Sequence, residues 1–333
     1  MNTVSAVAAL DGRPISDPAA LVDVEVPVPE LRPRDVLIDV QAVSVNPVDV
    51  KVRAGLDRQD TPKVLGWDAA GVVEAVGPAV QGLSVGDEVW YAGDLTRQGS
   101  NTRLQAVDER LVSRKPTSLS FAEAAALPLT TITAWEALFD RLGLEETSQG
   151  TLAVLAGAGG VGSIMIQLAK VRTQLRVLGS AGKAQSREWV ESMGADAVID
   201  HHDLLASVRA AAPDGVEYLF SPNTQGNVEA FAQVVRPFGA IVGIDDPSAL
   251  DLMPLKSRSI AWHWEFMFTR SMFQTPDMAE QGNLLRRTAD LVDAGRLRTT
   301  LNTTIDDFTA AGLREAHRLV ESGRTVGKVV VTR

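Results

Sequence analysis

The chain has 333 residues, a formal net charge of −10 at pH 7 and no cysteine. It is longer than a single hydrophobic core usually grows, so we expect two domains, and its acidic balance argues against a nucleic acid or an anionic membrane as partner. The absence of thiols excludes disulfides, thiol catalysis and thiolate metal sites.

Residues 1–125 have the pattern of a compact antiparallel β-domain. Short apolar runs such as 36–43 and 71–76 are separated by Pro and Gly. The segment 76–91 carries several turn signals, which favours a small barrel of short strands.

The pattern changes near Ser120. This serine precedes Glu123 with the spacing of a capping box, which predicts a helix start. A second helix is predicted at 131–142. We therefore place the domain boundary near 120–130.

A glycine-rich segment follows an apolar strand that begins at Thr151. Gly157, Gly159 and Gly162 have the Gly-x-Gly-x-x-Gly spacing, Gly160 adds a fourth glycine, and the residues that follow have helical apolar spacing. Such a turn lets a pyrophosphate approach the backbone at a helix N-terminus. The alternative is an ordinary strand-to-helix turn without a ligand.

The strands predicted after this turn alternate with helical segments. They are predicted at 175–181, 196–200, 216–220 and 239–245. This alternation indicates a parallel, doubly wound sheet of the Rossmann type, and we assign residues 126–269 to it.

The remaining elements begin with a strand whose bulky residues alternate. Aromatic side chains at Trp262, Trp264, Phe266 and Phe268 give 259–268 one bulky face. This strand either packs on a helix or, as the outer strand of the sheet, pairs with a second copy through 260–268.

The last part of the chain is predicted to contain helices at 279–294 and 308–322 and a closing strand at 327–332. We expect residues 270–333 to complete the first domain.

Five motifs together resemble the medium-chain dehydrogenase/reductase superfamily, in its quinone oxidoreductase-like or "zinc-type alcohol dehydrogenase-like" branch. The motifs are Ser44–Lys51, Leu65–Gly71, Val85–Val89, Ala156–Gly162 and Gly327–Val331. The resemblance covers essentially the whole chain. It implies a GroES-like β-barrel domain, completed by the C-terminal tail, beside a Rossmann domain, with a nicotinamide cofactor in the cleft between them.

Two positions of this chain correspond to zinc ligands in the zinc-containing members of this superfamily. Those members have a Cys where Asn46 falls and a Gly-His-Glu motif where this chain has Gly66, Trp67 and Asp68. Both ligand positions are lost, and the four scattered histidines show no metal-ligand spacing. We expect no metal site.

The glycine pattern and the resemblance together predict the cofactor contacts. The predicted residues are Asn46, Thr130, Gly157, Ala158, Gly159, Gly160, Val161, Gly162, Ser180, Lys183, His201, Ser221, Phe268 and Lys328.

The cofactor is predicted to be NADPH. An NAD site usually has an acid about twenty residues past the first glycine, but here no acid occurs between Leu175 and Glu188. Ser180, Lys183 and His201 are candidate contacts to the 2′-phosphate. The alternative is that Lys183 is a solvated helix charge.

Two residues, Lys51 and Tyr91, are candidate proton donors to a substrate carbonyl; the alternatives are a solvated lysine and a half-buried tyrosine.

We expect a metal-free, NADPH-dependent reductase of quinones or α,β-unsaturated carbonyl compounds, because hydride addition to such acceptors needs positioning rather than a Lewis acid. The alternatives are a metal-free carbonyl reductase or alcohol dehydrogenase, and an NADPH-binding sensor or structural protein with little turnover.

The sequence contains no run of eighteen apolar residues and no signal-peptide pattern. We therefore expect a cytoplasmic protein, with a small molecule as substrate and a second copy of the chain as partner.

Overall fold

The computed structural model describes residues 2–58 and 60–333. The chain forms two compact units. The first runs to Leu129 and includes Phe268–Arg333, and the second is Thr130–Met267. Within the described ranges, no helix has the length and apolar character needed to cross a bilayer.

The strands, numbered along the chain, are β1 (Thr3–Ala9), β2 (Val22–Pro27), β3 (Asp35–Val45), β4 (Lys63–Val64), β5 (Ala69–Val76), β6 (Glu88–Tyr91), β7 (Leu104–Asp108), β8 (Val112–Arg114), β9 (Thr151–Val154), β10 (Arg176–Ser180), β11 (Ala197–Ile199), β12 (Val216–Ser221), β13 (Val235–Gly243), β14 (Ala261–Trp264), β15 (Leu301–Ile305) and β16 (Lys328–Thr332).

The helices are α1 (Pro47–Ala54), α2 (Phe121–Ala125), α3 (Pro128–Trp135), α4 (Gly160–Arg172), α5 (Ala184–Ser192), α6 (Leu204–Ala211), α7 (Val228–Val234), α8 (Met253–Lys256), α9 (Thr269–Met272), α10 (Glu280–Asp293) and α11 (Ala310–Glu321). A 3₁₀ turn spans Glu109–Leu111, and a π-helical turn spans Glu136–Arg141. The predicted capping box is confirmed, because Ser120 Oγ accepts from the Glu123 amide while the Glu123 carboxylate accepts from the Ser120 amide.

The first unit contains a seven-stranded sheet and a three-stranded sheet. The larger has the order β15-β16-β3-β5-β6-β8, with β7 also paired to β3, and the smaller has the order β2-β1-β4. The closing strand β16 lies antiparallel to β3, with Val330 opposite Ser44. This register brings Lys328, at the start of β16, close to Asn46.

The second unit contains the predicted parallel sheet. Its order is β11-β10-β9-β12-β13-β14, and every neighbouring pair is parallel. This is the doubly wound order, in which the glycine loop follows the central strand β9. The α/β fold class predicted from the alternation is confirmed.

Strand β14 differs from its prediction in length, and none of its residues is buried. It pairs with β13 only over Ala261–Trp264, opposite the last residues of β13, so the regular strand ends four residues before Phe268. Trp264 and Phe266 are 48% and 44% exposed, while Glu265 is buried. Trp262 of the same face packs against the core of the second unit, so this face is partly covered by helices and partly exposed.

Candidate cofactor and catalytic site

The glycine loop has the backbone geometry that a phosphate cradle requires. Ala156 has a positive φ of 50°, and its amide donates to Ser180 Oγ at 2.9 Å. The amide of Gly157 donates to the Ser180 carbonyl at 3.0 Å. The loop is therefore fixed against the end of the neighbouring strand β10.

Two glycines of this loop have no room for a side chain. A Cβ at Gly162 would lie 2.4 Å from the carbonyl oxygen of Ala156, and one at Gly157 would lie 3.0 Å from the Ser180 amide nitrogen. Helix α4 begins directly after Gly159, so its first amides, including those of Gly160 and Val161, have no acceptor within the helix. This cradle fits the pyrophosphate of a dinucleotide.

The residues predicted to bind a 2′-phosphate differ in accessibility. Lys183 is exposed and immediately precedes α5. Ser180 is 1% exposed, and its hydroxyl oxygen already accepts from the Ala156 amide. The structure therefore favours Lys183 over Ser180 as a contact to the phosphate.

His201 lies after β11 in a cluster that the sequence analysis missed. Ligand atoms of Asp200, His201 and His202 lie within 4.8 Å of one another, and the two imidazole rings are tilted by 37° with their centroids 4.2 Å apart. A Cβ built on Gly182 would lie 3.1 Å from the His201 ring. The sequence analysis found no metal-ligand spacing among the histidines, whereas the loop brings these three consecutive side chains together.

In the first unit, a buried polar network surrounds Asn46. Its side-chain Nδ2 donates to Asp68 Oδ2 at 3.0 Å and to the Ser44 carbonyl at 3.3 Å. Its backbone amide donates to Asp49 Oδ2 at 2.7 Å, which ties it to the first turn of α1. All of these groups are buried.

The cation of this network is Lys328. Its Nζ donates to Asn46 Oδ1 at 2.6 Å and to the Val45 carbonyl at 3.1 Å, and it lies 3.4 Å from Asp68 Oδ2. Burial raises the pKa of Asp49 to about 7 and that of Asp68 to about 6, and burial lowers the pKa of Lys328. Because an ammonium has three donors, these partners leave none for a cofactor, and the prediction of a direct cofactor contact at Lys328 is not supported.

This region does not fit a metal ion. The Trp67 indole is buried and donates to the Asp94 carbonyl at 3.1 Å, and an indole N–H offers no lone pair to a metal. The Lys328 ammonium already lies among the oxygen atoms of Asn46 and Asp68 that could otherwise ligate one.

The two predicted proton donors have different surroundings. Lys51 is exposed on α1. Tyr91 is fully buried and donates its hydroxyl to Gln105 Oε1 at 2.6 Å, and burial raises its pKa. The expected half-buried position of Tyr91 was wrong, since its side chain is fully buried, and its role as a proton donor stays a prediction.

The other predicted cofactor residues are also buried. Thr130 is 2% exposed in α3, and Ser221 Oγ accepts from the Asn223 amide at 3.1 Å. Phe268 packs edge-on against Trp67, with ring centroids 6.4 Å apart. Ala158 is 9% exposed in the glycine loop.

A second buried cluster in the Rossmann unit was not predicted. Glu265 is 3% exposed, and its Oε2 accepts from Arg141 Nε at 2.8 Å. Burial and the neighbouring Glu136 raise the pKa of Glu265 to about 9. Both Glu136 and Arg141 belong to the π-helical turn, which no sequence pattern predicted.

Comparison with known proteins places both units in described families. Residues 32–132 match the alcohol dehydrogenase GroES-like domain, and residues 193–331 match the zinc-binding dehydrogenase family. Among curated proteins, the chain is 38% identical over 306 residues to a zinc-type alcohol dehydrogenase-like protein of Staphylococcus aureus (strain MSSA476), covering 89% of this chain and 90% of that protein.

Two further similarities extend this result. The chain is 31% identical over 318 residues to the chloroplastic NADPH-dependent alkenal/one oxidoreductase of Arabidopsis thaliana, covering 91% of this chain and 73% of that protein. A crystal structure from Rhizobium etli CFN 42, assigned as a zinc-dependent alcohol dehydrogenase, has a TM-score of 0.96 and 47% identity and covers 100% of this chain and 99% of its own.

Proposed function

Because the chain belongs to the medium-chain dehydrogenase/reductase superfamily, in its quinone oxidoreductase-like branch, we propose that this oxidoreductase uses NADPH to reduce quinones or α,β-unsaturated carbonyl compounds without a metal. The observation that carries the metal-free part is the Lys328 ammonium held by Asn46 and Asp68. The similarity to the Arabidopsis alkenal/one oxidoreductase supports the substrate class.

The preference for NADPH is supported by the segment between β10 and α5. Ala181, Gly182 and Lys183 follow β10, so no carboxylate there would repel a 2′-phosphate, and Lys183 is exposed. A charge-assisted hydrogen bond from Lys183 to phosphate would contribute about 1.5–3 kcal/mol.

The chemistry divides between cofactor and protein. A bound nicotinamide would supply the hydride that reduces the β carbon of an enone or a quinone. The protein's amides at the start of α4 bind the pyrophosphate, and Asn46 is proposed to contact the nicotinamide or its ribose. The enolate left by an enone would take a proton at its α carbon, and the hydroquinone anion left by a quinone would take one at oxygen, from Lys51 or from solvent.

The experiment measures kcat/KM for NADPH and NADH with a panel of quinones, enones, aldehydes and ketones. In Lys183→Ala, we expect the NADPH preference to fall by about tenfold to a hundredfold. Lys256→Ala, which removes an exposed lysine of the same unit on α8, is the matched control and should leave the ratio unchanged.

Three outcomes would contradict the proposal in different ways. Equal use of both nicotinamides by wild type would refute the assigned cofactor. Faster reduction of aldehydes and ketones than of enones and quinones would favour the carbonyl reductase alternative. Saturable NADPH binding without turnover of any acceptor would favour a sensor or structural role.

The proposal includes a cytoplasmic homodimer that pairs through residues 260–268. Strand β14 is the terminal strand of the sheet, and Trp264 and Phe266 beside it are exposed. Light scattering should give a dimer mass, and Trp264→Lys should give a monomer. A monomeric wild-type protein at micromolar concentration would refute the pairing, and recovery in a membrane fraction would refute the location.

A further inference from the structure

The Asn46 amide is held in one orientation by opposite charges on its two sides. Its NH₂ group faces the Asp68 carboxylate and the Ser44 carbonyl, and its oxygen faces the Lys328 ammonium. If the amide flipped, its NH₂ group would face the ammonium and its oxygen would face the carboxylate. Each of these contacts would then become repulsive, so the flip is strongly disfavoured.

The ammonium is itself confined by oxygen atoms from separate parts of the first unit. The Val45 carbonyl and Asn46 Oδ1 lie at the junction of β3 and α1, whereas Asp68 immediately precedes β5. Asp68 is further fixed because its Oδ1 accepts from the Leu129 amide at 3.1 Å. Lys328 thus connects β16 to the junction of β3 and α1 and to the segment before β5 through a single buried charge.

We propose that Lys328 is a positioning residue, whose ammonium is an internal cation that holds the Asn46 amide in the orientation that the reductase uses. This inference rests on the proposed function, in which Asn46 contacts the nicotinamide or its ribose. A fixed ammonium here would do for Asn46 and Asp68 what a bound metal ion does for its ligands.

The test replaces the tethered cation with a free one. Lys328→Ala leaves an oxygen-lined space, and kcat with an enone should fall by about tenfold to a hundredfold, while the Kd for NADPH, held mainly by the glycine loop, should change by less than about threefold. Methylammonium should raise the Tm of Lys328→Ala and restore part of its kcat. Tetramethylammonium, which is too large for the space, should do neither, and the wild type should respond to neither ion.

A second variant keeps the test decisive if Lys328→Ala does not fold. Lys328→Met combined with Asp68→Asn removes both charges together, and we expect it to fold, to have a reduced kcat and to show no response to methylammonium. A wild-type kcat in either variant would overturn the inference. So would a loss in Lys328→Ala that methylammonium does not reverse in Tm or in kcat.

Failure of the proposed function and failure of the internal-cation role of Lys328 give different results. The proposed function is refuted if none of the acceptors in the panel supports NADPH oxidation by the wild-type protein. The Tm response of Lys328→Ala to methylammonium would still decide whether the site holds an internal cation.

Discussion

Replacing His317 should make the protein markedly less sensitive to acid. This histidine is fully buried on α11, and both ring nitrogens lack a hydrogen-bond partner in the described part of the chain. Burial, with a smaller contribution from the Arg53 cation, lowers its pKa from 6.5 to about 3. The imidazole is therefore neutral in the folded protein under conditions that charge it in the unfolded chain.

The sign and size of the effect follow from this difference in pKa. Between pH 6.5 and 3 the unfolded chain binds one more proton at His317 than the folded chain, so the free energy of unfolding decreases as the pH falls through that interval. For these two pKa values, the loss between pH 8 and pH 5 is about 2 kcal/mol.

The assay compares urea unfolding of wild type, His317→Leu and His317→Gln at pH 8 and pH 5. Both substitutions remove the titration, so both should lose about 2 kcal/mol less than wild type over this interval. They differ in polarity, and Leu should be the more stable at pH 8 because it leaves no buried polar atom without a partner. Equal losses in wild type and both variants would show that the imidazole titrates alike in the folded and unfolded chains.

Three further predictions concern other sites. Gly162→Ala should weaken NADPH binding by about tenfold or more, because the new Cβ would lie 2.4 Å from the carbonyl oxygen of Ala156; unchanged affinity by fluorescence titration would contradict this. Asp293→Asn should lower the Tm at pH 7 but not near pH 2. Burial opposes ionisation of Asp293, but hydrogen bonds from Ser118 and Thr117 outweigh it and lower the pKa to about 2. The stabilisation from the carboxylate is therefore fully present above the ordinary pKa of 3.8 and is lost as the pH falls through 2. Glu265→Gln should gain stability relative to wild type as the pH rises from 4.5 towards 9. The raised pKa of Glu265 means that the folded wild type keeps this carboxyl protonated where the unfolded chain loses the proton, so the free energy of unfolding of wild type falls over that interval. Parallel plots of unfolding free energy against pH for the two proteins would refute the prediction.

The parallel sheet and its glycine loop were accessible to sequence reasoning because their signals are local. The strand from Thr151, the spacing of Gly157 and Gly162 and the helix after them lie within a few turns of chain. Strand β14 shows the limit of such reasoning. Its alternation predicted a strand with one bulky face through 268, but the regular strand ends at Trp264, none of its residues is buried, and the buried Glu265 follows it.

The network around Asn46 could be predicted only in part. Asn46 and Asp68 both stand in motifs recognised in the sequence. Their shared partner Lys328, however, is 282 residues from Asn46 along the chain. No periodicity connects positions so far apart, and the register of β16 against β3 decides the contact. The burial of His317 was easier to predict from the sequence, since this residue follows Leu313 at i+4 on the apolar face of α11.

The pairing of β16 with β3 determines when each unit can be completed during synthesis. Thr130–Met267 is continuous, so the Rossmann unit can fold as soon as that stretch has left the ribosome. The first unit begins to be made earlier but is finished later, because Ala42–Val45 of β3, next to the stretch that pairs with β7, has no partner on that side until residues 328–332 are released. Throughout that interval the nascent chain presents a short open strand edge at Ala42–Val45, which must be kept from pairing with other chains.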